Sequence, residues 1–218
     1  MKELNHIELK HKLLSETNFN IDLARKGYEF IMADNDLPAG VEERDLPDGV
    51  YFVKNDNNTI VPFSGQKHFD DCCGIGVKYG DASFVAALRD ACDDEVPLTV
   101  DKSSHRSYQN DFHKAVEDYD GAGNTKKLLP VLNPDIQLGK DEYIPSLGEL
   151  LTIFMHFDTI NRALTAVGGD TIRDDWYWSS TEYSAATAWV VYLNIGNVAG
   201  GTKATSSSRV RPVSAFIV

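Results

Sequence analysis

Short apolar runs in the first half of the chain predict two β-hairpins. Residues 50–53 form an apolar run, a polar Asn-Asp-Asn-Asn segment follows shortly after, and the apolar pattern resumes at Ile60. Residues 73–79 and 83–88 repeat this arrangement around Gly80. Apolar stretches joined by short segments rich in Gly, Asn and Asp are typical of antiparallel hairpins, so we expect four strands in this part of the chain.

In the middle of the chain the apolar residues change to helical spacing. Asn110 predicts the N-cap of a short helix that ends at the glycines of residues 121–123. Ser146 and Glu149 have the spacing of a capping box and predict the start of a second helix. The apolar stripe after this cap consists of Leu147, Leu150, Leu151, Phe154, Phe157, Ile160, Leu164 and Val167. Gly168 follows the stripe, so the sequence predicts one long core helix.

The last quarter of the chain returns to strand patterns. Four further strands are predicted at residues 177–181, 188–194, 198–203 and 209–217. Gly196 suits the positive-φ position of a two-residue turn between the second and third of these strands. Strands at both ends with helices between them predict a single α+β domain over residues 48–218.

Residues 1–47 differ from this domain. Their apolar residues mix with charges at roughly helical spacing, and a turn signal at residues 36–40 closes the pattern. We therefore predict an N-terminal helical arm. Two roles remain open for it: a helix packed on the main domain, or an attachment or oligomerisation element.

The composition is that of an ordinary globular protein with acidic character. Hydrophobic residues make up 42% and charged residues 25% of the 218 residues, which fits a packed core and excludes wholesale disorder. The net charge of −12 disfavours nucleic acids and anionic membranes as partners. Residues 171–218 contain four basic and three acidic residues, so this end is nearly neutral, as contact surfaces often are. Neither a signal peptide of the general secretory type nor a membrane-inserting segment is predicted.

The reactive side chains predict neither catalysis nor a metal or cofactor site. The three cysteines lack a disulfide framework and metal-ligand spacing, and the last of them is Cys92. The six histidines show no zinc-binding spacing, and no Gly-x-Ser-x-Gly nucleophile motif is present. Residues 118–125 partly match a calcium loop but lack its later glutamate, which leaves a structural cation there as an open alternative.

Several C-terminal motifs, taken as a set, resemble a known family. They are Ile144-Pro145-Ser146-Leu147-Gly148-Glu149-Leu150, Trp176-Tyr177-Trp178-Ser179-Ser180-Thr181-Glu182-Tyr183, Ala188-Trp189, Gly196-Asn197-Val198 and Val210-Arg211-Pro212-Val213. This set is similar to the C-type-lectin-like domain of diversity-generating retroelement variable proteins, which is related in fold to formylglycine-generating enzymes. The resemblance covers about residues 48–218 and implies a C-type-lectin-like fold. The related enzymes need C-terminal thiols that this chain lacks, so the resemblance implies a binding protein.

The resemblance also implies a diversifiable ligand-contact segment at residues 183–208. Strand alternation assigns Trp189 and Val191 to a core face and leaves Val190 and Tyr192 on the opposite face. Tyr192 is the predicted anchor, because its ring supplies contact area with few rotors to order. The expected contact residues are Ser184, Ala185, Ala186, Thr187, Val190, Tyr192, Asn194, Ile195, Asn197, Ala199, Gly201, Thr202, Ala204 and Thr205. Ordinary exposed loops and strands are the alternative interpretation of this segment.

These inferences together predict a non-enzymatic receptor-binding protein. The resemblance implies a phage tail or fibre component, or a bacterial surface protein, that contacts a bacterial cell-surface protein or glycan. It also implies a homotrimer, and the N-terminal arm is the expected attachment to other virion or surface proteins. The alternative is a structural virion or cell-surface protein whose lectin-like domain only mediates assembly.

Overall fold

The computed structural model describes residues 46–55, 59–101 and 108–216. The predicted N-terminal helical arm lies outside these residues, apart from its last two positions, and it stays a prediction. None of the helices in the described ranges is long and apolar enough to cross a membrane.

The described residues contain nine strands in two antiparallel sheets. The strands are β1 (Gly49–Lys54), β2 (Ile60–Pro62), β3 (Cys72–Tyr79), β4 (Ala82–Ala87), β5 (Glu142–Tyr143), β6 (Trp176–Glu182), β7 (Thr187–Tyr192), β8 (Asn197–Thr202) and β9 (Val213–Ala215). Six strands form one sheet in the order β2-β1-β3-β4-β9-β5, and the other three form a second sheet in the order β6-β7-β8. Both predicted hairpins are confirmed, since β1 pairs with β2 and β3 pairs with β4.

Within the described residues, four α-helices lie between the strands along the chain, which confirms the α+β class. They are α1 (Phe112–Ala115), α2 (Gly121–Leu128), α3 (Leu147–Met155) and α4 (Phe157–Ala166), and a 3₁₀ turn at Leu129–Val131 follows α2. The predicted capping box is confirmed at the start of α3. The Glu149 N–H donates to Ser146 Oγ, and the Ser146 N–H donates to Glu149 Oε2 at 2.7 Å.

The predicted long core helix is two helices that meet at His156. The backbone leaves the helical region there, with φ −119° and ψ 20°. The imidazole stacks on the ring of Tyr79 with 3.4 Å between centroids, and burial lowers the pKa of His156 to about 4. The helix therefore breaks where His156 stacks on Tyr79 of β3, whereas the apolar spacing of residues 147–167 alone predicts one continuous helix.

The glycine-rich segment at Gly121 begins a helix, so the predicted helix end there is wrong. Asp111, not Asn110, is the N-cap of α1, and Asp120 is the N-cap of α2. A Cβ on Gly121 would lie 2.3 Å from Oε2 of Glu149. This glycine therefore allows α2 to approach the cap of α3 closely, a long-range requirement that local pattern does not reveal.

The three-stranded sheet lies between two apolar clusters. On one face, Trp189 and Val191 pack with the helices and the larger sheet. On the other face, Trp178 and Val190 pack with a second cluster that includes Leu98. β7 is thus buried on both faces, and its nearly continuous apolar run is typical of such a central strand.

A buried ion network ties the C-terminal segment to the rest of the domain. Arg211 is fully buried, and its Nε lies 2.8 Å from Oδ1 of Asp90. Arg209 Nε donates to Oδ2 of Asp175 at 2.9 Å. Burial raises the pKa of Asp90, and the two arginines act against that rise. Buried charges need partners of this kind, so the Val-Arg-Pro-Val motif has an internal structural role.

Candidate functional site

The β7–β8 hairpin carries most of the predicted contact residues, and its two ends are well separated. Thr187 pairs with Thr202 at one end, and Tyr192 pairs with Asn197 at the other. Five residue steps along a strand correspond to roughly 17 Å. Apart from Val190, Ala199 and Gly201 in mid-strand, the predicted set therefore falls on two surfaces. We call the surface at residues 183–187 and 202–206 the loop end, and the surface at residues 192–197 the turn end.

The loop between β6 and β7 is held by its own polar groups. The hydroxyls of Ser184 and Thr187 lie 2.6 Å apart, and Ser184 Oγ also accepts from the Ala186 N–H at 3.2 Å. The N–H groups of Tyr183 and Ser184 both donate to the Thr187 carbonyl. These bonds fix a compact loop and leave Ala185 exposed at its tip.

A buried ion pair anchors the strands beside this loop. Lys203 Nζ donates to Oε1 of Glu182, and both side chains are buried. Glu182 is the last residue of β6 and Lys203 follows β8, so the pair joins the two outer strands of the sheet across β7. The Lys203 N–H also donates to the Ala186 carbonyl at 3.0 Å. These contacts hold the loop end together with the half-buried Ser184 and Thr187 hydroxyls, and the exposed Ala185 side chain takes no part.

Three aromatic rings meet at the loop end, and Tyr183 is one of them. Tyr183 meets Trp189 at a right angle with centroids 4.9 Å apart, and Phe112 lies 5.8 Å from the same indole. Trp189 is nearly buried, and its Nε1 donates to the carbonyl of Gln109 at 2.9 Å. Tyr183 and Phe112 remain 39% and 44% exposed. We call Tyr183, Phe112 and the outer edge of Trp189 the aromatic ledge.

Small and polar residues border the aromatic ledge. A Cβ placed on Gly200 would meet only the ring of Tyr183 within 4 Å, at 4.0 Å, so open space lies beside this ring. The imidazole of His113 lies 6.2 Å from Phe112, and the Ser184 and Thr187 hydroxyls adjoin Tyr183 in the loop. Exposed rings on a fixed base, beside small polar groups, are typical of ligand-contact surfaces.

The turn end has a different character. The rings of Tyr192 and Trp176 meet at 5.4 Å, and the Tyr192 hydroxyl donates to the Asp174 carbonyl at 3.2 Å. The predicted anchor is thus half-buried and already hydrogen-bonded. Gly196 has the predicted positive φ of 72°, but four residues join β7 to β8 where two were predicted. The ring of Phe154, 2.4 Å from a Cβ placed on Gly196, occupies the space inside this wider turn.

Two of the predicted contact residues are buried, which corrects their placement in the site. Val190 is 5% exposed, because apolar residues cover both faces of β7, whereas the alternation rule assumes one open face. Gly201 lies under the ring of Trp178, which is 2.7 Å from a Cβ placed there. The other predicted residues are exposed or half-buried: Ser184, Ala185, Ala186, Thr187, Tyr192, Asn194, Ile195, Asn197, Ala199, Thr202, Ala204 and Thr205. Their contact with a ligand stays a prediction.

Sequence reasoning missed the contribution of α1 to this surface. Gln109 lies 80 residues before Trp189 in the chain, and no local pattern connects them. Phe112 has the spacing of a core helix residue, and the single turn of α1 leaves it exposed. Tyr183 did carry a usable signal, since aromatic residues are enriched in contact surfaces and this one adjoins a loop of small residues.

The described residues show no arrangement suited to a metal ion. No group of three or more His, Cys, Asp or Glu side chains is placed to hold one among them. In the segment that partly matches a calcium loop, Asp118 Oδ2 accepts from the Thr181 hydroxyl and the Asn124 amide, and Asp120 caps α2. These carboxylates are thus used within the fold.

Comparison with known proteins gives a structural likeness. Protein families and curated proteins gave no match. Among solved structures, a fimbrial protein from Bacteroides ovatus ATCC 8483 superimposes with a TM-score of 0.53 at 16% sequence identity. The fold is similar to that of a fimbrial protein. The match covers 78% of this chain and 49% of the fimbrial chain, so this chain spans about half the length of that neighbour.

Proposed function

We propose that this protein binds a ligand at a cell surface in an adhesin-type role, and that the loop end with the aromatic ledge is its contact surface. The observation that carries this proposal is the exposure of Tyr183 and Phe112 on an indole fixed to the Gln109 carbonyl. Rings held on a rigid base supply contact area at little cost in conformational entropy. We propose no catalytic role for this surface.

The fimbrial likeness supports a bacterial surface location for the proposed role. The sequence motifs that resemble retroelement-variable proteins support a more specific proposal. In that proposal the domain is C-type-lectin-like and the side chains of its loop end can be diversified. Ala185 and Ala186 lie on a loop that is held by the Ser184 and Thr187 hydroxyls and by the buried pair of Lys203 and Glu182. Side-chain changes on such a loop leave the core packing intact, as a diversified surface requires. A phage tail component stays a second location for the same role.

Binding to defined surfaces tests this proposal. The probes are an array of bacterial surface glycans and fixed Bacteroides ovatus cells, and the variants are Tyr183→Ser, Phe112→Ser and, as the matched control, Tyr192→Ser. We expect wild-type protein to bind a subset of probes, and we expect about tenfold or greater loss for Tyr183→Ser, as for a central aromatic anchor. Tyr192→Ser should weaken binding to the same probes by less than about threefold, because the Tyr192 ring lies at the other end of the hairpin.

Two results would contradict this placement. A larger loss for Tyr192→Ser than for Tyr183→Ser would assign the site to the turn end, where the sequence predicted the anchor. Equal binding of all variants would remove both ends of the hairpin from the contact.

The second candidate is a structural subunit whose domain serves only assembly, and the fimbrial likeness favours it. It predicts that the loop end is buried between neighbouring subunits. Hydroxyl-radical footprinting of Tyr183 distinguishes the two candidates. Equal oxidation of the isolated protein and of intact surface structures supports ligand display, whereas protection in the intact structures supports assembly.

A further inference from the structure

Three of the four sheet edges in the described residues are closed. The carbonyl of Arg209 accepts from the Trp178 N–H at 2.8 Å, which covers β6. β2 contains Pro62, which has no N–H, and the Pro62 carbonyl accepts from Gln66 Nε2 at 3.1 Å. β5 has two residues, and one of them is the charged Glu142. Short strands, proline, charge and covering segments are the usual means of protecting a sheet edge.

At β8 the described residues close only one end of the edge, where the outward Thr202 N–H donates to Ser206 Oγ at 3.0 Å and the Thr202 carbonyl accepts from the Ser206 N–H. The six residues of β8, Asn-Val-Ala-Gly-Gly-Thr, include no charge and no proline, and its pairing with β7 runs without a bulge. The Lys203 N–H donates to the Ala186 carbonyl on the β7 side, which fixes the backbone alternation. Val198 and Gly200 therefore direct their N–H and carbonyl groups away from β7. In the part of the chain that the structure describes, no group bonds to these outward-facing atoms.

We propose that two copies of this chain pair through β8, antiparallel about a twofold axis at Ala199. This centre places Val198 of each copy opposite Gly200 of the other. Each of these two residue pairs exchanges two N–H···O=C bonds, so the contact contains four backbone hydrogen bonds. The two three-stranded sheets join into one six-stranded sheet. The paired strands lie beside the aromatic ledge, and association measured without any ligand tests the pairing separately from the proposed ligand contact.

The side chains on β8 fit a second copy. β8 carries no charged residue, so the pairing places no like charges opposite each other. Beside Gly200 there is open space bounded by the ring of Tyr183. Val198 of the second copy stands on the same sheet face as Gly200, since directly opposed residues share a face of an antiparallel sheet. Val198 and Gly200 lie symmetrically about Ala199, so a second copy of β8 presents the same two outward residues in the register that they require.

The pairing should be weak and should depend on salt. Contact between two strand edges buries less area than the ~1,200 Å² of a stable interface. The expected dissociation constant is therefore in the range of about 1–100 μM. Each copy carries a net charge of −12, and the repulsion between copies is screened by salt. The dimer should thus be stronger at about 0.3 M salt than at about 0.02 M.

Analytical ultracentrifugation of the full chain tests the pairing by measuring the dimer fraction. The protein concentration should run from about 1 to 300 μM, which brackets the expected dissociation constant. Gly200→Pro removes an outward N–H and leaves the bonds to β7 in place. Gly200→Ala is the matched control, because it keeps the N–H and its Cβ enters open space. We expect dimers of wild type and Gly200→Ala, and at least about tenfold weaker association of Gly200→Pro with unchanged far-UV circular dichroism. A monomeric wild type, or equal association of Gly200→Pro, would overturn the proposal.

Disulfide trapping tests the register. With the axis at Ala199, this residue faces its own copy in a non-hydrogen-bonded pair, about 4.5 Å apart between Cα atoms, which suits a disulfide. In a Cys72→Ser, Cys73→Ser background, Ala199→Cys should form a covalent dimer on mild oxidation, and Thr202→Cys should not. Equal trapping of the two variants, or trapping of Thr202→Cys alone, would contradict the proposed pairing.

Discussion

Replacing Lys203 by methionine should destabilise the domain strongly, because it leaves a carboxylate buried without its ammonium partner. Lys203 is fully buried and Glu182 is 5% exposed. Methionine retains most of the aliphatic stem, so the loss of packing is small beside the loss of charge pairing. Removing one partner of a buried ion pair costs about 3–5 kcal/mol. We expect the free energy of unfolding of Lys203→Met to fall by this amount at pH 7.

Urea unfolding followed by tryptophan fluorescence measures this loss, since Trp178 and Trp189 are buried in the two clusters that flank β7. The matched control is the double variant Lys203→Met, Glu182→Leu, which removes both charges. Replacing a buried pair by apolar residues is often close to neutral, so the double variant should recover at least about 2 kcal/mol. The slope of the unfolding free energy against urea should stay unchanged if only stability differs.

A small effect would refute this reasoning. If Lys203→Met costs under about 1 kcal/mol, the pair behaves like an exposed ion pair, and the loop end is not anchored by buried charge. The same conclusion follows if the double variant is no more stable than the single variant.

Two further predictions concern His156 and Gly201. Burial lowers the pKa of His156 to about 4, below the ~6.5 of an unfolded chain, so its contribution to stability is complete above about pH 6.5 and is lost as the pH falls toward 4. His156→Phe keeps the stacking on Tyr79 but has no titrating group. Between pH 7 and pH 4.5 the free energy of unfolding of wild type, measured with urea, should fall by about 2–3 kcal/mol more than that of this variant. Parallel pH profiles of the two proteins would contradict this. Gly201→Ala should cost about 1–3 kcal/mol, because its Cβ meets Trp178, whereas Gly200→Ala should change stability by less than about 0.5 kcal/mol. Equal melting temperatures for these two variants would show that Trp178 can move aside.

Features set by neighbouring residues in the chain could be predicted from the sequence. The capping box at Ser146 and the hairpin around Gly80 depend on contacts within a few residues, and both occur as expected. The burial of Val190 depends on a cluster that contains Leu98 and Ile144, far away in sequence. Strand alternation shows that β7 has two faces, but it cannot show that a distant segment covers the second face.

The candidate site shows the same limit. The sequence placed the anchor at Tyr192, since the contact residues were taken from one segment of the chain. The structure divides that segment between two ends of a hairpin and adds Phe112 and Gln109 to one end through Trp189. α1 reaches the loop end only because of how the domain packs. The order of residues within 183–208 could not have revealed that contact.

In the C-terminal segment, buried residues that hold the fold alternate closely with exposed residues. We call these buried residues the structural anchors. Trp178, Lys203 and Arg211 are fully buried, whereas the loop tip at Ala185 and the turn residue Ile195 are exposed. The structural anchors bond to groups far away in sequence, so their geometry does not depend on the exposed side chains between them. Substitutions at the exposed positions should therefore alter binding without altering stability, and substitutions at the structural anchors should do the reverse. This separation is what a surface needs if it is to change its ligand while the domain keeps its fold.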